Sequence, residues 1–160
     1  MSVRPRLTLE RTFRAPIREV WELWTTREGI EAWWGPDGFS VAVREIDIRP
    51  GGNLRYTMTA TGAEQVDYMV KAGMPITTQN SKRYVEVEPP RRLVFKERAD
   101  FIPGVEPYEV ETVVELTDLG DSTRMVLNFE AMHDERWTQL ATAGREMELA
   151  KLERLLAGRA

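Results

Sequence analysis

One histidine, no cysteine and no serine in a nucleophile-elbow setting narrow the chemistry open to this chain. His133 lies in "EAMHDERW", beside Asp134 and Glu135, where a strand pattern gives way to a long helical one. A histidine facing a cavity there would act as general acid or base near neutral pH. Asp100, Glu106 and Glu109 would supply neighbouring carboxylates from another loop. The competing reading is structural: Asp134 caps the helix and His133 leads into it, exposed. The lack of cysteine excludes disulfides, thiolate catalysis and thiolate metal sites. A single histidine excludes a His-rich metal centre, and the carboxylates show no calcium-loop spacing. His133 is thus the one catalytic candidate, and no metal or cofactor is expected.

Other polar signals have plainer readings. The paired glycines of "IDIRPGG" suggest a phosphate loop, but the Lys-Ser/Thr signature and a following helix are missing. A tight hairpin turn fits better. Arg145, Asp47 and Arg49 would meet a ligand carboxylate if buried, although surface pairing is the commoner fate of such charges. Trp33-Trp34 reads as one core residue, Trp33, and one pocket-mouth residue, Trp34, able to stack on a ring-containing ligand.

The elements that hold these residues follow from periodicity. A chain of 160 residues is long enough for one domain with a real core, and residues 1–160 are read as one. Leu7, Leu9 and Phe13 alternate with polar residues as a first strand, with Arg11 on the apolar side. Pro16 suits a helix start. Ile17, Val20, Trp21 and Trp24 then share one helical face, and "REGIEAWW" forms a second short helix. Six strand-like runs follow: Val41–Ile48, Leu54–Thr59, Ser81–Val87, Leu93–Arg98, Tyr108–Leu116 and Met125–Phe129. From Asp134 to Leu156 the pattern is one long helix, with Trp137, Leu140, Ala141, Met147, Leu152 and Leu155 expected inward. Gly144 inside it suggests a bend or close packing against the sheet. The expected fold is α+β, a seven-stranded curved antiparallel sheet wrapped around the C-terminal helix.

Connections in a meander alternate between its two ends. "RPGG", "EPPRR" and "TDLGDST" are tight turns at one end. "WWGPDGF", Thr61–Pro75, "ADFIPGVEPYE" and "EAMHDER" are longer, carry apolar side chains and gather at the other. Thr61–Pro75 reads as a small helix of its own. Thr61 and Glu64 have capping-box spacing, Val66, Met69 and Val70 form a stripe, and Gly73 and Pro75 provide a stop. So short a helix must dock on something. A lid over a cavity, a subunit contact and a core plug are the three readings.

Taken together, "TFRAPIREVWELWT", "WWGP", "IDIRPGG" and "VEPPRRLVF" are similar in order and spacing to the START/SRPBCC superfamily. The nearest group resembled is the bacterial proteins related to the C-terminal domain of the heat-shock-protein-90 ATPase activator. The resemblance runs from about Leu9 to Leu156. It implies a helix-grip fold with a hydrophobic cavity between sheet and long helix. It implies no single activity, since members include lipid carriers, cyclases and chaperone activators.

The resulting expectation is a binding protein for a small hydrophobic or aromatic molecule. Tyr56, Met58, Val110, Phe129, Trp137 and Ala141 would form the cavity walls. Trp34, Phe39, Val66, Met69, Val70 and Phe101 would form the mouth, with Tyr108 and His133 as polar handles. A cyclase or hydrolase using the same cavity, and a chaperone-associated protein-binding domain, are the alternatives. The charge of -4 without a basic block argues against nucleic acid. No apolar run would insert into a membrane. A homodimer is possible, and the cytoplasm is the expected compartment.

Overall fold

The computed structural model describes residues 4–100, 102 and 104–158. Seven strands and four helices follow one another as β1 (Arg6–Phe13), α1 (Ile17–Thr25), α2 (Arg27–Trp33), β2 (Phe39–Ile46), β3 (Asn53–Ala60), α3 (Ala63–Lys71), β4 (Thr77–Glu88), β5 (Arg92–Ala99), β6 (Tyr108–Asp118), β7 (Thr123–Glu130) and α4 (Glu135–Ala157). The strands form one antiparallel sheet in the order β1-β7-β6-β5-β4-β3-β2. From β2 to β7 this is the meander that the alternating turns predict. The first strand closes the far edge by pairing Leu7 with Phe129 and Leu9 with Leu127.

The concave face carries the core. Leu54, Tyr84, Leu93, Phe95, Val114, Leu116, Met125, Leu127 and Phe129 point inward from successive strands and are nearly inaccessible. The first two helices pack over one end of it. Trp24 and Trp33 meet edge to face at 4.8 Å between ring centroids, a geometry that adds to simple area burial. The Trp33 indole N–H donates to the Leu23 carbonyl at 2.7 Å.

The long helix contributes unequally along its length. Leu149, Leu152 and Leu156 are its fully buried residues and all lie in the C-terminal half. From Glu135 to Glu148 no residue is fully buried. Leu140 and Met147, expected inward, are 55% and 44% exposed. A Cβ at Gly144 would meet nothing within 4 Å, so this glycine permits no close approach to the sheet. The N-terminal half of α4 stands off the sheet instead.

Several boundaries differ from expectation for identifiable reasons. The strand expected to begin at Ser81 begins at Thr77, pairing Thr78 with Met58 and Asn80 with Tyr56. Its inward residues there are polar, so no apolar alternation marks it. In α3, Gly62 is the cap residue and makes no side-chain cap hydrogen bond. The Thr61 hydroxyl donates to the Gly38 carbonyl at 3.3 Å rather than capping the helix, and the backbone N–H groups of Thr61 and Gly62 donate to the same oxygen. The helix is thereby anchored to the loop before β2. Gly38 has φ +83°, and a Cβ on it would collide with Gln65, so both the turn and the docking of α3 require glycine there.

Candidate functional site

Where the first half of α4 leaves the sheet, a cavity of about 110 Å³ remains between it and β5, β6 and β7. Ala99, Val110, Phe129, Met132 and Ala141 give it apolar walls; Glu97 and Arg145 add charge. Local hydrogen bonds fix this geometry. The Asp134 carboxylate accepts the Trp137 N–H at 2.8 Å as the cap of α4. The Thr138 hydroxyl donates to the Asp134 carbonyl at 2.7 Å and accepts the Met132 N–H at 3.0 Å. The helix start is therefore held over the end of β7. The small side chains Ala99 and Ala141 leave the space open. The cavity is smaller than the roughly 300–1,000 Å³ of most ligand sites. Glu97 also borders a more open depression of about 370 Å³ reaching Met74, Thr78, Asn80 and Asp100.

Behind the cavity lies an inner chamber of about 50 Å³ bounded by Trp24, Trp34, Tyr56, Lys82, Phe95 and Glu148 among others, and Arg145 borders both spaces. Lys82 donates to Glu97 at 2.8 Å and lies over the Trp34 and Phe95 rings at 5.4 and 5.3 Å. Burial works against the Lys82 charge, but adjacent Glu97 and Tyr56 outweigh it and hold the ammonium above its ordinary range. The same burial opposes the Glu97 charge, and Lys82 with Arg145 overcomes it, so this carboxyl sits below the usual range. Burial also pushes the Tyr56 hydroxyl up to about 12, with Lys82 partly offsetting it. It depresses Arg145 despite Glu97 and Glu148 nearby.

Glu148 stands apart from the other carboxylates. Burial raises its pKa, although the Gly35 N–H donates to it at 2.7 Å and Lys82 and Arg145 attract its charge. A raised acid pKa means the folded state holds the proton more tightly than the unfolded chain, so Glu148 costs stability as pH rises above about 4.3. Glu148→Gln keeps an acceptor for Gly35 and removes that charge. The variant is expected to melt above wild type at pH 7, with the gap closing at pH 4 in paired thermal denaturation. An equal gap at both values would contradict this assignment.

The residues expected at the site divide. Val110, Phe129 and Ala141 line the cavity, and Tyr56 lines the inner chamber. Trp34 is not at the mouth: it is 6% exposed, stacks edge to face on Tyr56 at 5.4 Å and walls the chamber. The turn at Gly35 folds its ring inward against Trp24. Met58 is half-buried on the concave face and packs against the core. Phe39 is half-buried at the start of β2, opposite Ala60. On α3, Met69 is buried and Val66 half-buried, whereas Val70 is 61% exposed beside Tyr68 at 67%. The helix docks through one face, so Val70 turns outward to solvent. Phe101 lies outside the described residues.

His133 does not line the cavity. Its Nδ1 pairs with the Tyr108 hydroxyl at 2.9 Å, and its backbone N–H donates to the same oxygen at 3.0 Å. Its Nε2 faces Asp134 at 3.4 Å. Arg4 covers the Tyr108 ring at 4.5 Å, and Trp137 stacks at 6.4 Å from the imidazole. The group borders a separate open depression beside Pro5 and Leu7. Asp47 and Arg49 pair with each other on the surface at 2.9 Å. Arg145 alone of the three ligand-facing charge candidates is inside. Pattern reading misses Lys82 and Glu97 because each looks like a break in the alternation of an apolar strand face, and Glu148 because helical period does not say what packs against α4. Among the described residues, no group of three His, Asp or Glu side chains could hold a metal, and no helix is long and apolar enough to cross a membrane.

A curved antiparallel sheet closed by one long C-terminal helix, with a cavity between them, defines the helix-grip class. Residues 14–157 match the family described as Activator of Hsp90 ATPase homolog 1-like protein, and the chain belongs to that family. No curated protein sequence matches significantly. Among solved structures the chain is similar to protein CV1439 from Chromobacterium violaceum, with 22% identity, a TM-score of 0.77 and coverage of 94% of this chain and 96% of that one. The AHSA1 protein SPO3351 from Silicibacter pomeroyi is 19% identical with a TM-score of 0.76, covering 98% and 100%. CalU16 from Micromonospora echinospora is 23% identical with a TM-score of 0.63, covering 94% and 75%. At these identities the likeness is one of fold.

Proposed function

We propose that this protein binds a small apolar or aromatic molecule in the cavity between the sheet and the first half of α4. The observation that carries the reading is the uneven burial of α4. Its C-terminal half is locked to the core, and its N-terminal half roofs a space walled by Ala99, Val110, Phe129, Met132 and Ala141. Burial of the ligand's apolar surface would drive binding, at roughly 25 cal/mol per Å². Because the cavity is small, the ligand is small or moves the roof helix as it enters. Met74, just after α3, borders the neighbouring open depression, which supports a wall role for the 61–75 segment at the opening. Acid–base catalysis by His133 would need it within about 3.2 Å of a reacting group in this cavity, and its bonds to Tyr108 turn it elsewhere.

The test is titration with naphthalene, indole and 4-phenyl-1-butanol, read by tryptophan fluorescence. Trp34 and Trp24 wall the adjacent chamber and Trp137 lies one turn before Ala141, so a quench with a blue shift is expected. Ala141→Phe fills the cavity and should weaken binding by about tenfold or more, while the melting temperature holds or rises. Binding that survives this substitution unchanged would place the ligand elsewhere.

A further inference from the structure

The inner chamber carries more hydrogen-bond donors than the protein satisfies. The indole N–H groups of Trp24 and Trp34 are buried without a partner, and so is the hydroxyl of Tyr84, two residues along β4 from Lys82. Indole nitrogen only donates. Unpaired buried donors are costly and uncommon in native proteins, so two on side chains that wall one chamber call for an acceptor beside them, a water or a ligand group.

Arg145 adds to this surplus. Of its five N–H groups, one donates to the Thr112 hydroxyl at 3.1 Å. The nearest Glu97 oxygen is 3.8 Å away, beyond hydrogen-bond length. Its guanidinium lies over the Phe129 ring at 4.1 Å, which covers one face and leaves the in-plane N–H edge for a partner. A guanidinium edge matches a planar carboxylate in a two-point bond. The charges agree. Glu97 is already engaged by Lys82 at 2.8 Å, and Glu148 accepts from the Gly35 backbone in an environment that favours its protonated form. Arg145 is therefore the cation of this cluster that no carboxylate hydrogen-bonds, its nearest being Glu97 at 3.8 Å, and it is the residue shared by the apolar cavity and the inner chamber.

We propose that cavity and chamber together form one bipartite site for an apolar molecule ending in a carboxylate, the apolar body lying against Val110, Phe129 and Ala141 and the carboxylate bonded by Arg145, with the Trp34 and Trp24 N–H groups completing its shell. The proposal rests on the cavity-binding reading above and narrows it to a class of ligand.

Two matched pairs of probes test it: 4-phenylbutyrate against 4-phenyl-1-butanol, and octanoate against 1-octanol, titrated at pH 7 by calorimetry and tryptophan fluorescence. Each acid is expected to bind about tenfold or more tightly than its alcohol. Arg145→Gln should bring the ratio to about one, and Arg145→Lys should keep part of it. Arg49→Gln, at an exposed surface pair, should leave the ratio unchanged. Equal binding of acid and alcohol by the wild-type protein overturns the carboxylate assignment while the cavity reading stands. Binding of neither overturns both. Should Arg145→Gln fail to fold, the wild-type ratio still decides.

Discussion

Glu97→Gln is expected to lower stability by about 3 kcal/mol, the lower end of the range for stripping one partner from a buried ion pair. The lower end applies because the pair is buried unequally. The Lys82 side chain is 11% exposed and that of Glu97 is 34%. The loss comes from what remains: an ammonium among Trp34, Phe95 and Tyr56 with no carboxylate bonded to it. The double variant Glu97→Leu/Lys82→Met removes both charges and fits the apolar surroundings. It should recover most of the loss or exceed wild type, as apolar replacements of buried ion pairs often do. Urea unfolding at pH 7 measures all three proteins. The exposed pair Lys71–Asp67 on α3 is the contrast, since removing it should cost only about 0.3–0.5 kcal/mol. The pH dependence has a definite sign. Glu97 is depressed in the folded state, so its contribution is present above the unfolded value near about 4.3 and is lost as pH falls through the folded one. Lys82 is raised, so its contribution is present below about 10.4 and is lost as pH climbs past that. Glu97→Gln should therefore lack the acid limb attributable to this pair. A double variant no more stable than the single one would show that the pair is not the source of the loss.

The same charged strip explains which parts of this molecule could be read in advance. The strand count, the antiparallel order and the two covering helices follow from alternation and turn chemistry, because those strands present one apolar face to the core. The reading faltered on β4. Its first five residues, Thr77–Ser81, carry no apolar alternation, because Thr78 and Asn80 face a polar opening rather than a core. Lys82 and Glu97 looked like interruptions of an apolar face and are its electrostatic centre. Leu140 and Met147 fit the inward stripe of α4 by period, yet period says only which residues share a face, not whether anything is packed against it. Val70 failed for the same reason on α3, where docking is made by Met69, Gln65 and backbone bonds to Gly38. The signal that could have found the ionic cluster was present: Arg145 in the long helix, with Lys82 and Glu97 at positions that register pairs across β4 and β5. It required the register, which alternation alone does not supply.

The division within α4 leads to the other large effect. Leu152 is inaccessible and belongs to the main core cluster, and Leu152→Ala should cost about 2–5 kcal/mol by lost burial and the cavity left behind. Leu140, one helical stretch earlier, is 55% exposed, and Leu140→Ala should stay within about 0.5 kcal/mol. Both are leucines in one continuous helix, so propensity is the same and only the surroundings differ. Amide hydrogen exchange should follow the same split, with residues 137–144 exchanging faster than residues 149–156, because few apolar contacts hold the first half down. On the proposed reading a ligand seated under Ala141 would supply the contacts the sheet does not, so saturating 4-phenylbutyrate should slow exchange in 137–144 and leave 149–156 nearly unchanged. If Leu140→Ala instead costs as much as Leu152→Ala, the first half of α4 is packed against a surface in solution and the cavity beneath it is closed. A helix whose far end is secured by apolar packing and whose first half is held by a few hydrogen bonds would let that half rise and settle over a guest, so that a cavity of about 110 Å³ would admit a molecule larger than its resting volume.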